Sequence, residues 1–415
     1  MRVRARWWAL AVVAGFALLG CSAPARMAPV VPTPQDGRLL APQRIQALPA
    51  GERQAWTAYL AQSHRLRALN DSSIAAEVRA LGRSEWTPAP EGPSFVVSSR
   101  MTPEWFRGDS ARHLADVIVS FQTPAGGWSK QVRYTGEPRQ PGQGYTHQGR
   151  SYVGTFDNTA TTEQMRFLSG AFRAHGDPRY RDAFLRGLEY VFRAQFPGGC
   201  WPQIYPLQGN YHDAATFNDD AMVRVLRLLR EVAGGAHPFV PEAERQRARE
   251  SLARGVECVL QSQVAVDGVR TVWGAQHDPL TLAPVRARAY EPASLAGRES
   301  AAITDFLMML EEPDTAVAGA VHAAAAWFRK TAIHGMEYVA RGDLTPREGA
   351  GPIWARFYEI GTDRPLFSNR DGVVRYTLAE LEEERRTGYA WYTDEPATTL
   401  RRYERWLRSR GAARR

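Results

Sequence analysis

The sequence predicts an all-α protein, an α/α toroid of repeated helical hairpins with a cleft at one end. Three observations carry that expectation. Apolar residues recur at helical spacing through most of the 415 residues, and few segments alternate as strands do. A Gln-to-Trp loop follows successive helices, as Gln122-Thr-Pro-Ala-Gly-Gly-Trp128 and again as Gln195-Phe-Pro-Gly-Gly-Cys-Trp201, with a weaker instance from Gln263 to Trp273. A second motif also repeats: Gly154-Thr-Phe-Asp157-Asn158 and Thr216-Phe-Asn218-Asp219-Asp220 each run directly into a helical pattern. Loops repeating between helices imply hairpins set around a ring. The Trp loops and the acidic helix starts would then gather at one end of it.

The elements follow in order. Residues 43–81 read as helical, with Trp56, Leu60 and Leu66 on the apolar face. Asp109 or Ser110 can cap a helix whose inner face is Leu114, Val117, Ile118 and Phe121. Met165, Leu168 and Phe172 follow the first acidic motif, and Met222, Val225, Leu226 and Leu229 follow the second. Between them lies a helix around Arg181 to Ala194. Leu252, Val256, Val259 and Leu260 define another, and Val317, Val321, Ala324 and Phe328 a further one from Asp314 to Tyr338, with one more near the C-terminus. No shift in composition after residue 40 marks a second domain, so residues 41–415 are expected to form one unit.

The N-terminus is an address. Arg2, Arg4 and Arg6 precede an apolar run from Trp7 to Leu19, and Leu18-Leu-Gly-Cys21 ends it. Residues 1–21 read as a lipoprotein-type signal peptide, and the Pro/Ala-rich residues 22–40 as a tether. The expected location is the bacterial cell envelope or outside the cell, with membrane contact only through lipid on Cys21. That leaves Cys200 and Cys258, which can pair in an oxidising compartment or remain thiols; the sequence leaves both open.

Net charge is +8, of which three charges belong to the signal. The remainder suits an anionic ligand, and the absence of basic runs interleaved with aromatics argues against nucleic acid. Only Lys130 and Lys330 are lysines among 52 basic residues, so Lys130 inside a motif stands out. Asp157 or Asn158, and Asn218 or Asp219, can serve as helix N-caps. Their repetition also lets two carboxylates converge on a cation. Basic and aromatic residues accompany them in Gly126-Gly-Trp128-Ser-Lys130, Trp201-Pro-Gln-Ile-Tyr205-Pro, Ala287-Arg288-Ala-Tyr-Glu291 and Trp354-Ala-Arg356-Phe-Tyr-Glu359 through Arg370. Carboxylates for a hard cation, arginines for carboxylates and aromatics for sugar faces together fit an acidic polysaccharide. A surface ion pair is the plain alternative for any one arginine.

Taken in order, these motifs, with Val272-Trp-Gly-Ala-Gln-His-Asp278 between them, resemble polysaccharide lyase family 10 over roughly residues 50–400. Cys200, between Gly199 and Trp201, looks like a local departure from that pattern. The resemblance implies calcium-dependent β-elimination of polygalacturonate or oligogalacturonides by a protein expected to be a monomer. It implies Asp157 and Asp219 as ligands of Ca2+ and the substrate carboxylate, and Arg288 as the base beside a catalytic Asp157. Lys130, Arg356 and Arg370 would hold neighbouring uronates, with Trp128 and Tyr205 as further binding residues. A guanidinium is an awkward base, since its pKa exceeds about 12; a nearby cation would favour the neutral form, and Glu291 is a rival on basicity alone. His212-Asp213 and His277-Asp278 fit loop or core hydrogen bonding better than direct catalysis. The competing readings are an envelope lipoprotein that binds pectic oligosaccharide without cleaving it, another toroid enzyme, or a glycoside hydrolase, which needs two carboxylates flanking the bond.

Overall fold

Twelve helices are present among residues 38–148, 153–338 and 344–413, the parts of the chain that the computed structural model describes. They are α1 (Pro42–Gln46), α2 (Ala50–Ala80), α3 (Pro103–Phe106), α4 (Asp109–Ser120), α5 (Thr162–His175), α6 (Pro178–Ala194), α7 (Ala221–Ala233), α8 (Glu242–Ser262), α9 (Gly297–Met308), α10 (Thr315–Thr331), α11 (Glu383–Gly388) and α12 (Glu395–Ala413). The segment expected to be a signal peptide, with Cys21, and most of the expected tether lie outside the described residues. Strand is confined to short antiparallel pairs in the loops, such as Ala215–Thr216 against Gln276–His277.

Helix pairs α5–α6, α7–α8 and α9–α10 form successive hairpins. The first member of each pair contacts the first member of the next, and α8 meets α10 behind them. This is the α/α toroid arrangement that the repeats imply. The inner helices are apolar because they are enclosed: in α7, Met222, Val225, Leu226, Leu228 and Leu229 have no exposed surface. Burying one such side chain stabilises by about 1.5–3 kcal/mol, above the roughly 0.7 kcal/mol that separates the helix propensities of ordinary residues.

The Gln-to-Trp loops join the hairpins. Gln122 follows α4 and donates from Nε2 to its own loop at Gly126 O (2.7 Å) and to Ala183 O in α6 (2.9 Å). Gln195 donates to Gly199 O (2.7 Å) and to Ser251 O in α8 (2.9 Å). Gln263 donates to Thr271 O and to Ala320 O in α10, both at 3.0 Å. Each loop tryptophan reaches back instead: Trp128, Trp201 and Trp273 donate their indole N–H to Ile118 O, Val191 O and Val259 O. The repeat thus ties every outer helix to the next one. Glycine is required four residues after the first two glutamines. Gly126 and Gly199 have φ of 106° and 97°, and a Cβ at either would meet the Arg186 or Arg254 carbonyl of the facing helix.

Three expectations are corrected, and one helix was not anticipated. The expected caps are displaced: α5 is entered from Thr161 rather than Asp157 or Asn158, and α7 from Asp220 rather than Asn218 or Asp219, and neither makes a side-chain capping bond. Helix α4 starts at Asp109 itself, with Gly108 in the cap position. The helix expected to reach Tyr338 stops at Thr331, and Met336–Tyr338 is a strand paired with Leu344–Pro346. Helix α9 went unread because its small residues and Thr304 give a weak apolar stripe, although its face is buried.

Cys200 and Cys258 form a disulfide that joins the second Trp loop to α8 across 58 residues. Closing a loop of that length removes about 4 kcal/mol of unfolded-chain entropy in the chain-entropy picture. Replacing both cysteines by alanine is therefore expected to lower unfolding stability by roughly 2–4 kcal/mol in urea titrations. An unchanged midpoint would contradict this.

Candidate active site

Two turns of unusual backbone geometry precede the inner helices. Asp157–Thr159 is one turn of 3-10 helix in which Asn158 and Thr159 have φ of 47° and 71°, and Thr161 follows at 65°. Asn218–Asp220 is its counterpart, with Asp219 and Asp220 at 51° and 62°. Left-handed backbone at a β-branched residue such as Thr159 or Thr161 costs of order 1–3 kcal/mol and persists only where surroundings impose it. Here the Trp loops impose it. Thr161 Oγ1 accepts the Trp128 N–H and donates to Thr155 O (2.8 Å). Backbone N–H groups of Thr155 and Thr216 donate to the carbonyls of Trp128 and Trp201. The two turns pack against each other, bringing Asp157 and Asp219 to neighbouring positions.

Asp157 is 2% exposed. Its Oδ2 accepts from Lys130 Nζ at 2.7 Å, and its buried Oδ1 has no partner among the described residues. Asp219 is more open: Asn218 Nδ2 donates to Oδ2 (3.0 Å), while Arg298 and Arg356 stand 3.8 and 3.7 Å from Oδ1. Arg356 is buried, donating to both Asn218 Oδ1 and Glu299 Oε1 at 3.0 Å. Its guanidinium lies over the Tyr389 ring, 4.7 Å from the centroid.

Tyr389 leads on to Arg288. Its hydroxyl donates to Glu291 Oε1 (2.8 Å), and the same carboxylate takes Arg288 through Nε (2.8 Å) and Nη2. The Arg288 side chain is still 41% exposed; its partial burial would favour the neutral form, but the Glu291 hydrogen bonds and charge outweigh it and the pKa moves upward. Burial would likewise raise the pKa of Glu291, yet Arg288 and Tyr389 bring it below the ordinary range. With both oxygens engaged and its proton affinity reduced, Glu291 is a poor rival base. Tyr290 gathers cations on the other side: Arg288, Arg370 and Arg385 lie 4.8, 5.4 and 4.4 Å from its ring centroid. Arg370, 62% exposed along its side chain, pairs with Glu384 at the periphery.

His212 closes the circuit. Burial is the main reason its pKa falls to about 4, and the positive charges of Lys130 and Arg288 add to it. One imidazole therefore senses both halves of the site. It stays neutral at pH 7, with Nδ1 against Asn210 Oδ1 at 2.7 Å. His277 is a core residue: burial drops its pKa to about 4, and its ring nitrogens face Leu282 O and Gly274 N–H. Asp278 pairs with Arg44.

The geometry brings together Asp157, Asp219, Lys130, Arg288 and Arg356, with Arg370 on the rim. It does not bring Trp128 or Tyr205 to a binding surface. Both are fully buried, Trp128 as the indole staple to α4 and Tyr205 through its hydroxyl to Gln62 (3.0 Å). Tyr389, Arg298 and Glu299 were missed. Tyr389 carries no sequence motif. Arg298-Glu299 opens α9 just after Ala296, whose N–H meets the Trp273 carbonyl as Thr155 and Thr216 meet theirs. That third loop, read as the weaker repeat, was the available signal.

Among the described residues no three His, Cys, Asp or Glu side chains form a metal cluster. What is present is a buried carboxylate oxygen without a partner beside a second, half-open carboxylate. Hard anionic oxygens of this kind fit a hard divalent cation only if substrate and water supply the remaining ligands.

Residues 122–400 match the family model described as pectic acid lyase. Among solved structures, a mutant of a family 10 polysaccharide lyase from Cellvibrio cellulosa, in complex with trigalacturonic acid, is 33% identical. It covers 75% of this chain and 99% of its own, with a TM-score of 0.65. The family 10 polysaccharide lyase from the same organism is 34% identical over 75% of this chain and 98% of its own, also at 0.65. No curated protein gives a significant match.

Proposed function

The chain belongs to the pectic acid lyase family and is a polysaccharide lyase, and from that premise we propose how its residues divide the work on polygalacturonate. The observation that carries the reading is the cluster in which Asp157–Lys130 and Arg288–Glu291 flank a group of guanidinium ions. A polyuronate presents one carboxylate per sugar. Arg356 is a buried cation and Lys130 is largely enclosed, the kind of partner that desolvated carboxylates need. Trigalacturonic acid in the related Cellvibrio enzyme supports an oligogalacturonide as the ligand here.

Elimination removes the proton on carbon 5, forms the double bond between carbons 4 and 5, and expels the glycosidic oxygen on carbon 4, which leaves as a hydroxyl by taking a proton from water. Arg288 is the proposed proton acceptor. It must be a neutral guanidine at that moment, and its Glu291 pair opposes this, so the reaction is favoured by alkaline conditions. Tyr389 and Glu291 fix the orientation of Arg288, while Arg356 and Lys130 orient the uronates. Ca2+ is the proposed cofactor, held by Asp157 and Asp219; when bound, it supplies charge neutralisation for the uronate carboxylate as carbon 5 loses its proton. The expected setting is the envelope or the exterior, through the signal and Cys21. Among the described residues no helix is long and apolar enough to cross a membrane. Residues 41–415 are the proposed catalytic unit.

Product mass tests the reaction type. Elimination yields a new non-reducing end one water lighter than hydrolysis would. Hydrolytic products from the purified protein would overturn the reading.

The cations should also separate by position. Replacing Arg356 by methionine, or Lys130 by alanine, is expected to weaken binding of every oligogalacturonide, because each lies inside the cluster. Arg370→Ala should weaken long oligomers about two- to fivefold more than trigalacturonate, as expected if a rim pair contributes at a separate subsite. Equal losses at all lengths would place Arg370 within the central subsites instead.

A further inference from the structure

We propose that Glu299 is a positioning residue that holds Arg356 in its substrate-facing place and keeps it from closing on Asp219. The inference rests on the oligogalacturonide reading above and extends it to a residue with no access to substrate.

Glu299 lies in the first turn of α9, is 1% exposed, and belongs to the third repeat of the loop architecture. Thr155, Thr216 and Ala296 donate their N–H groups to the carbonyls of Trp128, Trp201 and Trp273 in turn. Counting from those residues, Asp157-Asn158, Asn218-Asp219 and Arg298-Glu299 occupy matching positions. The third copy therefore retains an acid where the second has Asp219, but encloses it.

A buried carboxylate without a role is expensive, and one with an unpartnered oxygen more so. Glu299 Oε2 has no partner among the described residues, and Oε1 accepts from Arg356 Nη2 at 3.0 Å. The same Nη2 is 3.0 Å from Asn218 Oδ1 and 3.7 Å from Asp219 Oδ1. Arg356 is thus held between two carboxylates, bonded to the hidden one and just out of hydrogen-bond range of the open one. Arg298 is restrained in parallel, with Nε on Glu395 (3.1 Å) and Nη2 toward Asp220 (3.4 Å), leaving its Nη1 3.8 Å from Asp219. Without the charge on Glu299, the nearest anion for Arg356 is Asp219. The resulting pair would withdraw one cation and one carboxylate from the substrate together.

Glu299→Gln keeps the shape and removes the charge. Binding of trigalacturonate is measured by titration calorimetry in the Arg288→Lys background, so that turnover does not interfere. Four proteins are compared: the parent, Glu299→Gln, Arg356→Met, and both together. Glu299→Gln is expected to weaken binding about tenfold in the parent and less than about twofold beside Arg356→Met, the signature of two residues acting through one contact. Should Glu299→Gln fail to fold by circular dichroism, Glu299→Asp withdraws the carboxylate by one methylene and reads the same coupling. Parent-like binding of the Glu299 variant, or equal losses in both backgrounds, overturns the proposal alone. A wild-type protein that neither binds nor cleaves trigalacturonate overturns the substrate reading, and this proposal with it.

Discussion

Arg288→Lys is expected to bind trigalacturonate with near-normal affinity while its turnover falls about 10²–10⁴-fold, the range associated with loss of a positioned general base. Lysine keeps the positive charge but loses the planar fork that meets both oxygens of Glu291. A loss in turnover without a loss in binding marks an interaction needed mainly in the transition state. Arg286 is the internal control. It is two residues away and exposed, and its Nη2 meets the Ala289 carbonyl at 3.5 Å. Arg286→Lys should stay within about twofold of wild type, as surface substitutions outside special contacts do. Glu291→Gln separates the rival base: abolished turnover with intact binding, beside an active Arg288→Lys, would transfer the role to Glu291.

Asp157→Asn and Asp219→Asn are each expected to lower activity at least about a hundredfold, the scale of a lost transition-state charge stabiliser. The wild type should lose activity in excess chelator and regain it with calcium. Asp157→Asn leaves Lys130 beside a neutral acceptor in a mostly buried position, so its melting temperature is measured in parallel. A cap role would predict a loss of about 1 kcal/mol in stability and normal turnover. The structure already argues against that role. Asp157 sits in a separate 3-10 turn, the chain turns left-handed at Asn158, and Thr161 occupies the cap position of α5. Full activity of either variant would contradict the assignment.

Much of this site was legible because it is written in repeats. The Gln-to-Trp spacing exposed the hairpins, and the doubled Thr-Phe-Asp/Asn motif exposed the two turns that face each other. The motif did not reveal why the residues are there. Capping and left-handed strained turns use the same Asp and Asn chemistry, and only backbone angles separate them. Trp128 and Tyr205 misled for a similar reason. An aromatic ring beside charged residues suits a sugar face or a core equally well in sequence, and burial decides. Glu299 and Tyr389 were hidden differently. They meet Arg356 and Arg288, 57 and 101 residues away in the chain, and no local pattern encodes such pairs.

The central claim, elimination assisted by a cation held at Asp157 and Asp219, is tested most directly by ultraviolet absorbance during incubation with polygalacturonate. An unsaturated uronate absorbs and a hydrolysis product does not. The account predicts a steady rise with calcium present and none in excess chelator. Accumulating reducing ends without absorbance, or an undiminished rise in chelator, would contradict it.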